Sequence, residues 1–287
     1  MEHQVQTADG RALAVQTGGA DGGLPVLVHM GTPNSRQLYS RAVDDAASRG
    51  LLLISYDRPG YGGSTANPGR SIADCIEDVR AICAALHIDR LGVWGISGGG
   101  PHALACAALL PDLVVGVASL ASPAPYDADG LDYFDGMGQD NVDDIKLQIA
   151  DPAAARAKAE ADREALHNVD FAEVYPTLLS PADAAVITGE LAAYLDRVTQ
   201  EGLAPGVDGW FDDGDAMIRP WGFDVGDINV PVLLLHGRQD SFVPFGHGEW
   251  LAKRIPGVEA RLTDDDGHLT LLEHRLSDVH SWLRDRF

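Results

Sequence analysis

Short runs that are apolar at nearly every position recur along the first 122 residues: "PVLVHM" from Pro25, "LLLISYD" from Leu51, "RLGVWGI" from Arg90 and "LVVGVASLA" from Leu113. A strand that is apolar on both faces needs cover on both, so these runs belong in a sheet with helices on each side. Parallel strands in turn need crossover connections, and helical patterns fill the gaps. The clearest is Ser71 to Leu86, where Ile72, Cys75, Ile76, Val79, Cys83 and Leu86 share one face and Ser71 stands at the capping position. Ahead of these, "HQVQTA" and "RALAVQT" alternate around Asp9-Gly10, which reads as a hairpin.

The rhythm stops at about Pro123 and resumes after Gly226. In between, strand-like runs vanish and helix starts appear, with Asp151-Pro152 and Ser180-Pro181 each offering a capping side chain followed by proline. Residues 123–226 are therefore expected to be a helical insertion into a core made of residues 1–122 and 227–287. The core then finishes with "VPVLLLHG" from Val230, a helix from Phe245 to Arg254, "VEARLT" from Val258 and an amphipathic helix from Leu269 to Arg284. No internal repeat interrupts this order.

"GVWGISGGGPHALA", from Gly92, puts a serine among glycines between an apolar run and a helical one, Pro101 to Leu110. In a chain with 32 glycines, G-x-S-x-G is weak by itself. Between a strand and a helix it becomes the setting of a nucleophile elbow, where small neighbours permit a strained turn that lifts the hydroxyl clear of the sheet. The following helix would aim free N–H groups at the same spot. Ser97 is the candidate nucleophile. A nucleotide loop is excluded by the lack of Gly-Lys-Ser/Thr and of G-x-G-x-x-G.

A serine hydroxyl needs a base, and the base needs an orienting acid. In an α/β fold both should arrive at the C-terminal edge of the sheet. "VPVLLLHG" leads into Asp240, and "VEARLT" is followed by "DDDGH", which ends in His268. His268 is preferred to His236, His247 and His274. Asp240 is preferred to Asp127 or Asp129 after the earlier strand, and to Asp264, Asp265 and Asp266, which are expected to form a solvated acidic turn. For the oxyanion, one donor is the N–H of Gly98. The other is expected from "HMGTPNS", where Gly31 turns the chain and Pro33 fixes it, leaving the N–H of Thr32, with Met30 as the neighbour that could replace it.

In order along the chain, "HMGTP", "YDRPGYGGS", "GISGGGPHALA", "VPVLLLHGRQDSFVP" and "DDDGH" give it a pattern that resembles the α/β-hydrolase superfamily, including esterase and proline-iminopeptidase-like members. The resemblance implies a mostly parallel eight-stranded sheet flanked by helices, a helical cap inserted before the acid strand, a Ser97-Asp240-His268 triad, and neither cofactor nor metal. Asp57 and Arg58 are expected to hold their turn rather than act on substrate, and His102 to pack. Met30 stands where many relatives carry glycine or histidine, so the pocket there should be tighter or more apolar. Relatives that open epoxides or displace halides use aspartate at the elbow, which Ser97 argues against.

The expected reaction is hydrolysis of a small or medium, largely apolar carboxylic ester, thioester or lactone. The insertion's aromatics, among them Trp210 and Trp221, are candidates with Met30 for substrate contact. An aminopeptidase, a C–C bond hydrolase and a non-catalytic receptor on the same fold are the competing readings. The net charge of −22 repels nucleic acid and anionic lipid, so a small molecule is the expected partner, with a homodimer left open. Cys75, Cys83 and Cys106 form no C-x-x-C pair and read as buried thiols. With no long apolar segment, the expected compartment is cytoplasmic.

Overall fold

The computed structural model describes residues 1–166, 173 and 175–287. Eight strands form one sheet: β1 (Glu2–Gln6), β2 (Ala12–Gly19), β3 (Leu24–His29), β4 (Leu51–Tyr56), β5 (Leu91–Ile96), β6 (Val114–Leu120), β7 (Val232–Gly237) and β8 (Glu259–Thr263). Their spatial order is β1-β2-β4-β3-β5-β6-β7-β8. The two pairings of β2, with β1 and with β4, are antiparallel, and every later one is parallel.

Alternation along the strands divides the core into two layers. On one side Leu27, Val93, Val117 and Leu234 pack with helices α2 (Cys75–Ala85), α3 (Gly99–Leu109) and α9 (Phe245–Arg254). On the other, Val28, Trp94, Ile96 and Leu235 pack with α1 (Ser40–Ser48), α10 (Leu269–His274) and α11 (Leu276–Arg284). Covered on both faces, β3 to β7 are apolar at most positions, with His29, Ser55, Ser119 and His236 the buried polar exceptions.

Between β6 and β7 the described residues hold α4 (Gln139–Ala150), α5 (Pro152–Leu166), α6 (Pro181–Val186), α7 (Gly189–Gly202) and α8 (Asp208–Ile218), and no strand. Asp151 accepts the N–H of Ala154 at 3.0 Å and Ser180 that of Asp183 at 3.2 Å, so both proline-led starts are capped as expected. The segment is bound into both layers: Ala216, Trp221 and Val225 join the first, and Leu191, Tyr194 and Val198 the second. Two helices are broken where the sequence reads them as continuous. The Ser71 helix opens with a 3-10 turn, Ile72–Asp74, and the final helix is two, divided at Arg275. Periodicity does not register a break of one residue.

Candidate active site

Ser97 follows β5 at φ +55°, in the left-handed region that costs a side-chain-bearing residue about 1–2 kcal/mol. Neighbouring contacts hold it there: its N–H donates to Leu120 O at 2.9 Å, and its carbonyl accepts the N–H of Gly100 at 2.8 Å. The flanking glycines are required by space. A Cβ on Gly95 would lie 2.3 Å from Gly99 O, and one on Gly99 would lie 2.0 Å from His29 O. The elbow thus rests directly on the end of β3, and α3 begins at Gly99, two residues earlier than its proline suggests.

His268 precedes α10, and its Nδ1–H donates to Asp240 Oδ2 at 2.8 Å. The other oxygen, Oδ1, accepts the N–H groups of Phe242 and Val243 at 2.9 and 2.8 Å, so the loop after β7 locks the carboxylate. Burial alone would lower the basicity of His268, but the charge and hydrogen bond of Asp240, assisted by Asp183, outweigh it and raise the pKa. Asp240, His268 and the serine loop all stand at the C-terminal edge of the sheet.

The rival groups have other duties. His247 accepts the N–H of Ala124 at 3.0 Å and donates to Tyr133 O at 2.9 Å, and burial pushes it down to about 4. His236 is buried, donates to Val243 O at 2.8 Å, and is lowered by burial. His274, Asp127 and Asp129 are exposed. Asp264 and Asp265 are exposed as expected, but Asp266 is not in a solvated turn: it is buried and takes Arg275 Nε and Nη2 at 2.9 and 2.8 Å. His102 packs on His29 with ring centroids 5.7 Å apart and donates to Gly98 O at 2.9 Å; burial pushes it down to about 3.

The turn after β3 lies against the elbow. A Cβ on Gly98 would lie 2.4 Å from Thr32 Oγ1, and one on Gly31 would lie 3.5 Å from Ser97 Cβ. Among the described residues neither the Thr32 nor the Gly98 N–H has a hydrogen-bond acceptor within the chain. Asp57 holds its own loop, accepting the N–H groups of Arg36 and Gly63 at 2.6 and 2.8 Å. Arg58 does more than hold its turn: buried beneath Thr32, it pairs with Asp213 on α8 at 2.6 Å.

Two cavities, of about 220 and 720 Å³, meet Ser97 and Thr32. The larger is also lined by His268 and Met30, the smaller by Gly98 and Trp210. Trp221, expected at a substrate, lines neither: it is a core residue whose Nε1–H donates to Met217 O at 3.4 Å, with its ring 5.7 Å from Phe223. A tryptophan near the end of a helical segment has the same sequence signature whether it faces pocket or core.

Three side chains at the site escaped the sequence. The Phe242 ring stacks on His268 with centroids 4.5 Å apart and planes at 21°. Asp183, fully buried on α6, accepts the backbone N–H groups of His268, Leu269 and Thr270 at 3.0, 2.7 and 3.2 Å, seating the histidine's loop. Asp213 is the third. The Ser180 cap pointed to Asp183's helix, yet no local pattern shows where its carboxylate goes. For a metal, His29, Cys75 and Cys106 have donor atoms within 4.8 Å of one another, the one such group among the described residues. All are buried, and the Cys106 thiol together with burial holds Cys75 well above the ordinary thiol range.

A family model described as alpha/beta hydrolase fold matches residues 25–275. The chain belongs to that family. Among curated proteins it is 26% identical over 281 residues to the AB hydrolase superfamily protein YisY of Bacillus subtilis, covering 96% of this chain and 95% of that one. It is 24% identical over 243 residues to a 2-hydroxy-6-oxononadienedioate/2-hydroxy-6-oxononatrienedioate hydrolase of Klebsiella pneumoniae, covering 82% and 76%. Among solved structures, an esterase from Rhodococcus sp. ECU1013 superposes with a TM-score of 0.72 at 21% identity, over 100% of this hydrolase-fold chain and 99% of the esterase. No helix among the described residues is long and apolar enough to cross a membrane.

Proposed function

We propose that the chain is a serine hydrolase that cleaves a small or medium, largely apolar carboxylic ester, thioester or lactone through an acyl-enzyme on Ser97. One observation carries the reading: a serine at positive φ directly follows β5 and lines the same cavity as a histidine whose Nδ1–H is held by a buried aspartate. In this reading Ser97 Oγ attacks the carbonyl carbon while Nε2 of His268 takes its proton, and Asp240 stabilises the imidazolium. The N–H groups of Thr32 and Gly98 receive the oxyanion, and the leaving oxygen or sulfur departs with the proton from His268. Water then attacks the acyl-enzyme by the same route, regenerating Ser97.

The apolar substrate class is supported by the larger cavity. Met30, Ile96, Ile187, Leu195, Leu269 and Leu272 line it, and its volume is in the range of small-molecule sites. Segment 123–226 supplies part of these walls and acts as the cap that selects the substrate. The names of relatives support hydrolysis at a carbonyl and leave open the bond that is cut.

Intact mass after exposure to a fluorophosphonate tests the nucleophile. An adduct on the native protein and none on Ser97→Ala is expected, with ester turnover falling on the order of 10⁴-fold in the variant. A panel of aryl esters, amino-acid arylamides and dienoate C–C substrates tests the class; turnover confined to arylamides or dienoates would overturn the esterase reading.

A further inference from the structure

Beyond these residues lies a buried carboxylate that the reaction does not touch. Asp213, fully buried on α8, accepts at Oδ2 from Thr32 Oγ1 at 2.9 Å, from the Tyr61 hydroxyl at 2.9 Å, and from Arg58 Nε and Nη2 at 3.0 and 2.6 Å. Its Oδ1 accepts from Arg70 Nη2 at 2.7 Å. Arg58 also donates to the carbonyls of Met30 and Gly31, the latter at 3.1 Å, and to Thr32 Oγ1 at 2.9 Å. Each residue of the turn from Met30 to Thr32 is therefore bonded to one guanidinium, the Gly31 oxygen also accepting the N–H of Asn34 at 3.2 Å, and one carboxylate orients that guanidinium.

We infer that Asp213 is a positioning residue for the oxyanion hole. The inference rests on the proposed acyl transfer at Ser97 and adds to it how the Thr32 donor is aimed. The carbonyl of Gly31 and the N–H of Thr32 belong to one peptide unit, and in a planar trans peptide they point opposite ways. Arg58 and the N–H of Asn34 hold the Gly31 oxygen, so the Thr32 N–H is fixed facing away from both, in a turn that packs on the elbow, where a Cβ on Gly31 would lie 3.5 Å from Ser97 Cβ. Rotation of that plane is blocked from the side chain as well, since Thr32 Oγ1 gives its proton to Asp213 and accepts one from Arg58. The segment between β6 and β7 thereby takes part in catalysis through a residue that never meets the substrate.

The test compares Thr32→Val, Thr32→Ser and Asp213→Asn with the native enzyme, using kcat and KM on an aryl ester and the inhibition constant of an aryl boronic acid. The boronate forms a tetrahedral anion on the serine and so reads the oxyanion hole directly. Removing the tie should lower kcat roughly 10- to 100-fold, weaken boronate binding by a similar factor and leave KM nearly unchanged. Thr32→Ser, which restores the hydroxyl, should recover most of the kcat lost in Thr32→Val. Unchanged boronate affinity in Thr32→Val would overturn the assignment, as would failure of Thr32→Ser to recover kcat. Should Asp213→Asn not fold, the Thr32 pair decides by itself, because it leaves the buried charges intact. If the native protein neither turns over esters nor is labelled at Ser97, the acyl-transfer reading fails first and this inference with it.

Discussion

In the proposed reaction His268 takes the Ser97 proton only while it is neutral, and its surroundings oppose that. Burial favours the neutral ring, but Asp240 and Asp183 together favour the imidazolium and prevail, while burial lowers the adjacent His236. The acid limb of kcat/KM should therefore lie above the ordinary histidine value of 6.5. Stability should move the other way. A folded pKa raised above the unfolded one means that the His268–Asp240 pair stabilises fully below about 6.5 and loses its contribution as pH rises through the folded value. A pH–rate profile beside melting temperatures over the same range would check both; a limb below 6.5 would mean that burial prevails. Ser97, Asp240 and His268 were legible in the sequence because each follows a strand in a recognisable setting. Phe242 was not, since its ring reaches His268 only after Asp240 has bent the loop around its own carboxylate.

At the scale of elements, the elbow is a packing problem between β3 and α3. Ala at Gly99 would drive a methyl into the His29 carbonyl, which as backbone cannot rotate aside. Gly99→Ala should cost at least the upper part of the ~1–3 kcal/mol typical of overpacking, read by urea unfolding. Gly22→Ala is a fitting comparison: φ is +66° but nothing lies within 4 Å, so only the strain of about 1 kcal/mol should appear. Equal losses in the two would show that space is not what demands glycine at the elbow. The strand and helix order could be read from the chain because apolar runs and 3.6-residue periodicity are local properties. The 3-10 opening at Ile72 and the division of the last helix at Arg275 were not, being adjustments of one turn made to fit neighbours.

The whole molecule carries 43 acidic against 21 basic side chains. Much of the positive charge is committed in pairs: Arg58 and Arg70 to Asp213, Arg11 to Asp78 and Arg275 to Asp266. The exposed surface is left strongly negative and repels itself, which favours expansion. Raising ionic strength from about 0.01 M to about 0.5 M shortens the screening length from ~30 Å to below ~8 Å, so the melting temperature should rise. A flat or falling melting temperature would mean that the paired charges outweigh the surface repulsion. At this scale, too, the segment between β6 and β7 acquires its meaning: residues that look like an independent helical insertion share both core layers and send Asp183 and Asp213 to the two sides of the site.

What the sequence by itself determined is the class of fold and three residues in the loops that follow β5, β7 and β8, because apolar runs, periodicity and the elbow's glycines act over a few neighbours. Only the tertiary structure decided that Trp221 is core, that Asp266 is buried and paired, and that Asp183 and Asp213 seat the histidine loop and the Thr32 turn. An aspartate looks the same in sequence whether water or a buried arginine faces it. Its role is set by which distant groups the fold places within hydrogen-bond reach, and in a buried site those few ångströms decide whether the charge costs energy or holds the structure in place.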